Sequence, residues 1–149
     1  MTGHPVYLSR HLQLVLNAAA WLIFGLRRLD HVSDALISLH WLHIPQRIQF
    51  KVAVLTYKVL HGCAPSYPGP FIRVADLPSR WALRSANTSR LIQPRSNRST
   101  VDDRAFPVAG PQLWNSLPPE VTSAPSLDTF RRRLKTHRFT VSYSNIQLS

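Results

Sequence analysis

The chain has 149 residues, of which 18 are Lys or Arg and 7 are Asp or Glu. Its length limits it to one domain with a hydrophobic core or to two small subdomains. Its one cysteine excludes an internal disulfide, so the sequence does not indicate an oxidising compartment. The net charge of +11 favours an anionic partner, nucleic acid before an acidic membrane surface. All but three of the cations are Arg, which binds phosphate bidentately, although a genome rich in Arg codons would give the same bias.

The first predicted helix covers residues 8–26, after a start at residues 1–7 that we expect to be disordered. Gly25 and the pair Arg27–Arg28 mark its end, because cations are favourable at a helix C-terminus. Its most apolar part is too short and too often interrupted by polar residues to span a bilayer comfortably. The apolar positions with helical spacing are Leu8, Leu12, Val15, Ala19, Leu22, Ile23 and Leu26.

A short second helix is predicted from Ser33, as its N-cap, to about Trp41. Asp34 lies in its first turn, where the helix dipole favours an acid. We expect His40 to cap this helix or to pack between it and the next one.

A central helix is predicted from Pro45 to Gly62. Proline suits the first turn of a helix and glycine the position just past its end. One face carries the apolar residues Ile48, Val52, Leu55 and Val59. The apolar arc is widened by Phe50, Ala53, Val54 and Tyr57, so we expect neighbours on more than one side. The exposed edge carries a basic line that consists of Arg47, Lys51 and Lys58.

Residues 65–104 are predicted to form a Pro- and Arg-rich connection. Proline and glycine cluster at its start, and between Ser79 and Ser99 it contains no acid. A small hairpin could pair Leu91–Ile92 with Phe106–Val108. The arginines of this stretch are Arg80, Arg84, Arg90, Arg95 and Arg98.

Residues 105–140 are predicted to form a C-terminal helical segment, followed by a frayed tail at residues 141–149. Gly110–Pro111 opens a short helical turn that Pro118–Pro119 ends. The last helix, which Ser126 caps, buries Leu127, Phe130 and Leu134.

The last helix also carries charge in a regular pattern. Asp128 stands four residues before Arg132, which predicts a favourable surface pair. A second basic line consists of Arg131, Lys135 and Arg138.

Together these elements predict a mainly α chain of four to five helices, with a basic, largely irregular segment and at most one small β-hairpin. The helices fall into residues 8–64 and 105–140, with the connection between them. The residues predicted to be buried are Leu12, Ile23, Leu39, Trp41, Ile48, Val52, Leu55, Val59, Trp114, Phe130 and Leu134.

Five sequence blocks occur in a specific order along the chain. They are NAAAWLIFGLRRLDHV, LISLHWLHIPQRIQFKVAVLTYKVLHGCAPSY, LRSAN, DRAFPVAGPQLWNSLPPEV and SLDTFRRRLKTHRF. This set resembles the C-terminal part of the reverse transcriptase of vertebrate LINE-type (non-LTR) retrotransposons. The resemblance extends from about Leu12 to Phe139.

The resemblance implies a segment that follows the catalytic palm of the polymerase. Residues 8–64 would then be a thumb-like helical subdomain beside the template–primer duplex. It implies no catalysis of its own, no cofactor, and two partners: RNA or DNA, and the remainder of the reverse transcriptase. It gives no reason to expect a membrane partner.

Two groups of residues could carry metal chemistry. Asp102–Asp103 is the only adjacent pair of acids, but it lacks the third carboxylate of a two-metal site, and we interpret it as a turn or a partner for Arg104. The only candidate zinc ligands do not have a recognised spacing and are interpreted as packed side chains: His40, His43, His61 and Cys63.

The basic lines are the strongest functional signal. On this interpretation both lines and the arginines of the connection contact phosphates, and Trp81 stacks on a base. The simplest competing interpretation is that these cations belong to solvated helix faces. Two further hypotheses are a domesticated protein-interaction module that binds through Trp21, Trp41 and Trp114, and a translated relic without function. A nuclear or cytoplasmic location is favoured over secretion, and the acid-free N-terminus leaves a mitochondrial one open.

The missing carboxylate constellation leads to a first prediction. Primer extension with the purified chain, Mg²⁺ or Mn²⁺ and dNTPs should give no product. Extension that disappears when Asp102 and Asp103 are both replaced by Asn would contradict it.

Overall fold

A computed structural model describes residues 6–27, 29–65, 71–77, 89–93 and 105–144 of the chain. In this part the chain is mainly α, as predicted, with no β-strand. One 3₁₀ turn spans Val74–Asp76. The helices are α1 (Val6–Phe24), α2 (Val32–Ser38), α3 (Ile44–Leu60), α4 (Phe106–Asn115), α5 (Pro119–Thr122) and α6 (Leu127–Tyr143).

The predicted central helix is confirmed as α3, which has Pro45 in its first turn and ends two residues before Gly62. Three helices end in the same way, with a residue of positive φ: Gly25 at 58°, His40 at 52° and Gly62 at 67°. In each case the next residue's N–H donates five positions back, for example from Cys63 to Lys58 O at 2.8 Å. This pattern closes the last turn and satisfies carbonyls that a helix end leaves open.

α3 is the centre of the structure, because α1, α4 and α6 all pack on it. The Tyr57 ring stacks on Phe130 of α6 with centroids 4.5 Å apart, and Phe130 stacks on Trp114 of α4 at 5.7 Å. The Tyr57 hydroxyl donates to Ala124 O at 3.1 Å. A Cβ on Gly110 would lie 3.0 Å from Thr56 Oγ1, so glycine permits the close approach of α3 and α4. The first core therefore forms around aromatic rings from three helices.

A second core joins α1, α2 and the end of α6. It contains Ala20, Ala35, Leu36 and Tyr143, all buried. The Tyr143 hydroxyl donates to the backbone carbonyl of Trp41. These contacts carry α6 three residues beyond the predicted end at residue 140, while residues 145–149 lie outside the described part.

The predicted hairpin is wrong. Phe106–Val108 forms the first turn of α4, where the Ala105 carbonyl accepts from the N–H groups of Val108 and Ala109 at 3.0 Å each. The helix thus begins before Gly110–Pro111 and contains Pro111 in its interior. Leu91 instead forms an isolated antiparallel bridge with Arg73.

Burial separates the predicted core residues into three groups. Trp114, Phe130 and Leu134 are buried, as predicted. Leu12 and Ile23 are exposed, so their prediction is wrong. The half-buried ones are Leu39, Trp41, Ile48, Val52, Leu55 and Val59.

The error in α1 has a physical cause, because the side of this helix that faces the protein carries polar as well as apolar residues. The Gln13 side chain donates to Asn17 Oδ1 at 2.8 Å and accepts from the backbone N–H of Ile44 at 2.9 Å. The Gln13–Ile44 bond caps the start of α3, while Leu16 and Ala20 pack in the second core and Leu12 and Ile23 are left exposed. On α3 the buried residues are Ala53, Thr56 and Tyr57. They lie on a neighbouring side of the helix from the predicted face, which carries Ile48, Val52, Leu55 and Val59.

Of three local predictions, two about helix caps and one about an ion pair, one is confirmed and two are wrong. The Ser126 cap is confirmed, since its Oγ accepts from the Thr129 N–H at 3.3 Å. The Ser33 cap is wrong: α2 begins at Val32, and its cap position makes no side-chain bond. Asp128 pairs with Arg131, at 3.8 Å, rather than with Arg132, because three residues along a helix also bring side chains together.

Two substitutions of the same type test the position of the core. Leu134→Ala removes a fully buried side chain, so we expect it to lower the free energy of unfolding by about 2–5 kcal/mol in urea titrations. Leu14→Ala on α1, at a position that is 64% exposed, should change it by less than about 0.5 kcal/mol. Equal losses for the two variants would contradict this arrangement.

Candidate nucleic-acid interface

The basic line of α3 contains one cation held by the fold and two directed outward. The Arg47 Nε donates to Leu42 O at 3.0 Å, and its guanidinium lies 5.6 Å from the Trp41 ring centroid. Arg47 is half-buried and fixes the turn before α3. Lys51 is exposed and Lys58 half-buried, and neither forms an ion pair within the described residues.

The outer side of α6 carries more cations than the predicted line. Arg131 and Lys135 are exposed, and Arg131 makes the one ion pair of the described part, with Asp128. Arg132, which the sequence assigned to an ion pair, is exposed as well. Arg133 is exposed and donates to Glu120 O at 2.7 Å, which ties α5 to α6. The sequence signal for these additional cations is the run of three successive arginines. Successive residues point in different directions around a helix, so three of them in a row spread charge over its solvent-facing side.

Arg138 does not belong to the exposed line. It is 7% exposed, and its Nη1 donates to Gln49 Oε1 of α3 at 2.8 Å. Burial lowers the pKa of its guanidinium, and its Nε and Nη2 have no hydrogen-bond partner among the described residues. Phe130, Leu134 and Arg138 follow each other at four-residue intervals, so Arg138 continues the buried side of α6. This corrects the prediction that Arg138 contacts a phosphate.

Of the five arginines predicted to contact nucleic acid from the connection, Arg90 is the one that lies among the described residues. Arg90 is exposed, and its backbone lies in the short segment Ser89–Gln93 beside α4. The predicted contacts of Trp81 and of four arginines lie outside the described residues: Arg80, Arg84, Arg95 and Arg98.

The three tryptophans of the protein-interaction hypothesis lie in different environments. Trp114 is buried, and its Nε1 donates to Ser89 O at 2.8 Å. Trp41 is half-buried beneath Arg47, whereas Trp21 is 38% exposed. Trp21 belongs to a helix whose outer surface is largely apolar, with exposed Val6, Tyr7, Leu8, Leu12, Leu14, Val15, Leu22, Ile23 and Phe24.

The candidate zinc ligands each contact an aromatic ring or solvent. His40 ends α2 through its positive φ, the first of the two roles predicted for it, and its ring stacks on Phe139 of α6 at 5.8 Å. His61 stacks on Tyr57 at 3.9 Å. His43 contacts the Tyr143 ring at 5.0 Å, and Cys63 is exposed. Within the described ranges no three His, Cys, Asp or Glu side chains are grouped closely enough to hold a metal ion. Asp102 and Asp103 lie outside those ranges.

Comparison with known proteins assigns neither a family nor a function to the chain. No protein-family model matches the chain, and neither the curated proteins nor the solved structures give a match. None of the helices in the described part has the length and apolar character needed to cross a membrane.

Two half-buried histidines, His43 just before α3 and His137 on α6, make stability depend on pH. Burial lowers the pKa of His43 below its ordinary value of 6.5. Burial, and secondarily the Arg138 charge, lower the pKa of His137, while Glu120 opposes this shift. The folded state therefore binds fewer protons than the unfolded chain. Its stability is complete above the unfolded pKa and is lost as the pH falls through that value towards the folded pKa.

We therefore expect Tm to fall between about pH 7.5 and about pH 5 at constant ionic strength. His43→Gln should reduce this fall, because it removes one of the two groups. His31→Gln, a matched change at an exposed site, should leave it unchanged. A His43→Gln profile parallel to that of the original chain would contradict the role of His43.

Proposed function

We propose that this chain is a non-catalytic C-terminal segment of a LINE-type reverse transcriptase that contacts the backbone of RNA or DNA without sequence preference. The observation that carries the proposal is the set of outward-directed cations on α3 and α6, only one of which has a carboxylate partner within the described residues. The cations concerned are Lys51, Lys58, Arg131, Arg132 and Lys135.

Such a surface has the chemistry of non-specific binding. Each cation that neutralises a phosphate releases condensed counterions, so affinity falls steeply with salt. Lysine acts as a point charge and arginine as a bidentate donor, and neither reads bases when it contacts phosphate alone. We expect dissociation constants on the order of 10⁻⁴–10⁻⁶ M at physiological salt.

The outer surface of α1 supports the second part of the proposal, that the chain belongs to a larger polymerase. Leu14, Val15 and Leu22 are 64%, 68% and 84% exposed, while the polar Gln13 and Asn17 face inward. Exposed large apolar side chains gathered on one helix are typical of an interaction surface, and a protein partner is one that such a surface fits. The remainder of the reverse transcriptase is the partner that the proposal supplies.

Paired substitutions test the nucleic-acid contact. Lys51→Gln with Lys58→Gln, and separately Arg131→Gln with Lys135→Gln, should each reduce the slope of log K against log salt on RNA and DNA alike. The reduction should be about 1 for each cation that no longer neutralises a phosphate, and so up to about 2 for each pair. Fluorescence anisotropy between about 50 and 200 mM salt measures this slope. Glutamine keeps helix propensity nearly unchanged.

Two cations that are hydrogen-bonded within the fold serve as controls, because replacing them should not change the salt slope. Arg47→Gln and Arg138→Met change residues engaged within the fold, so the slope should stay unchanged provided that circular dichroism shows a folded chain. Slopes that fall for these two variants, and not for the paired ones, would overturn the proposal.

The protein-interaction module is the second candidate, and the exposure of Trp21 on α1 favours it. Its binding would be apolar, insensitive to salt, and abolished when Trp21 and Leu22 are replaced by Ser. A translated relic, the third candidate, would show neither type of binding.

A further inference from the structure

A side-chain amide holds the segment Ser89–Gln93 against α4. Asn115, the last residue of α4, accepts from the Leu91 N–H through Oδ1 at 2.9 Å and donates to the Leu91 carbonyl through Nδ2 at 2.9 Å. One amide thus replaces the two hydrogen bonds that a neighbouring strand would make. The Asn115 side chain therefore binds the backbone of Leu91 and not its side chain.

The residues on either side of Leu91 are held in the same way. The Trp114 Nε1 donates to Ser89 O at 2.8 Å, and the Val74 N–H donates to Arg90 O at 2.9 Å. The Ile92 N–H donates to Ile72 O at 2.9 Å. We call Asn115, Trp114 and the 72–74 backbone the clamp.

The clamp separates buried from exposed side chains. Leu91 is 2% exposed and belongs to the first core, together with Trp114 and Leu117. Arg90, its neighbour, is exposed. Main-chain bonds with a pocket for one side chain are the way in which an added strand is recognised. Here the recognised segment is part of the same chain and forms an isolated bridge rather than a strand.

The clamped residues occupy the middle of the arginine-rich stretch. Arg80 and Arg84 precede them in the sequence, and Arg95 and Arg98 follow. Because Leu91 is buried, its backbone N–H and C=O need hydrogen-bond partners, and the Asn115 amide supplies both. Together, the bonds to four successive residues, 89 to 92, also fix the direction of the backbone and the position of Arg90.

We propose that Asn115 is a positioning residue for nucleic-acid binding that holds Arg90 at the surface. This inference rests on the proposed function. Binding a polyanion orders the cations that contact it, and a segment already fixed in its bound direction loses less entropy on binding. Asn115 thereby raises affinity without contacting a phosphate.

The predicted signature of Asn115→Leu separates positioning from direct contact with phosphate. Affinity for a labelled 20-nucleotide RNA should fall roughly two- to tenfold, the range expected when side chains must be ordered on binding. The salt slope should stay unchanged, because the variant keeps every cation. Arg90→Gln, in contrast, should lower the slope by about 1.

Amide hydrogen exchange reports the clamp without any ligand. The Leu91 and Ile92 amides should be protected in the original chain and should exchange faster in Asn115→Leu. Gln112→Leu, which replaces an exposed amide on the same helix, is the matched control and should alter neither exchange nor affinity. Asn115→Ala removes the same bonds without added bulk and serves if the leucine variant does not fold.

The outcomes are distinguishable. Faster Leu91 exchange with unchanged RNA affinity would overturn the positioning role and leave the proposed function standing. A loss of affinity with a lower salt slope would also overturn it, because Asn115 would then act on the number of phosphates neutralised. If the original chain binds neither RNA nor DNA, the proposed function and this inference both fail, while the exchange data still report whether the clamp forms.

Discussion

The stacking of Tyr57, Phe130 and Trp114 is the contact on which the rest of the structure depends. These rings come from α3, α6 and α4, and burial of large aromatic side chains supplies much of the free energy available to a core of this size. The contact orients α6, so that its arginines point outward on one side while Arg138 is carried inward to Gln49. It also places Trp114 where its indole N–H can hold Ser89. The packing of the aromatic core therefore also determines which charges of α6 are exposed.

The charges of the described part fall into two classes with different roles. Arg47, Arg133 and Arg138 each donate to an oxygen of the protein itself, and they connect helix ends or helix faces. Lys51 and Lys135 are exposed and make no such contact among the described residues. An excess of positive charge is therefore not by itself a binding surface. The part of it that extends into solvent can meet phosphate, and the proposed function rests on that part.

Helical periodicity and end signals predicted much of the fold from the sequence. Pro45 and Gly62 bounded α3 correctly, Ser126 capped α6, and Phe130 and Leu134 are buried as their spacing indicated. The orientation of α1 was not predictable in this way, because its apolar residues surround the helix, and the inward side is fixed by the bond of Gln13 to Ile44 and the packing of Ala20. The clamp escaped prediction for a similar reason. Nothing in the local sequence shows that the Asn115 amide meets the backbone of Leu91, which lies 24 positions away.

The proposed function requires that the outward cations bind the phosphate backbone. The most direct measurement compares binding of the unmodified chain to a DNA oligomer and to an oligomer of the same base sequence with an uncharged methylphosphonate backbone, in the same buffer. We expect saturable binding to the charged oligomer and loss of binding to the neutral one, because counterion release supplies essentially all of the affinity of a non-specific complex. Equal affinity for the two oligomers would contradict it.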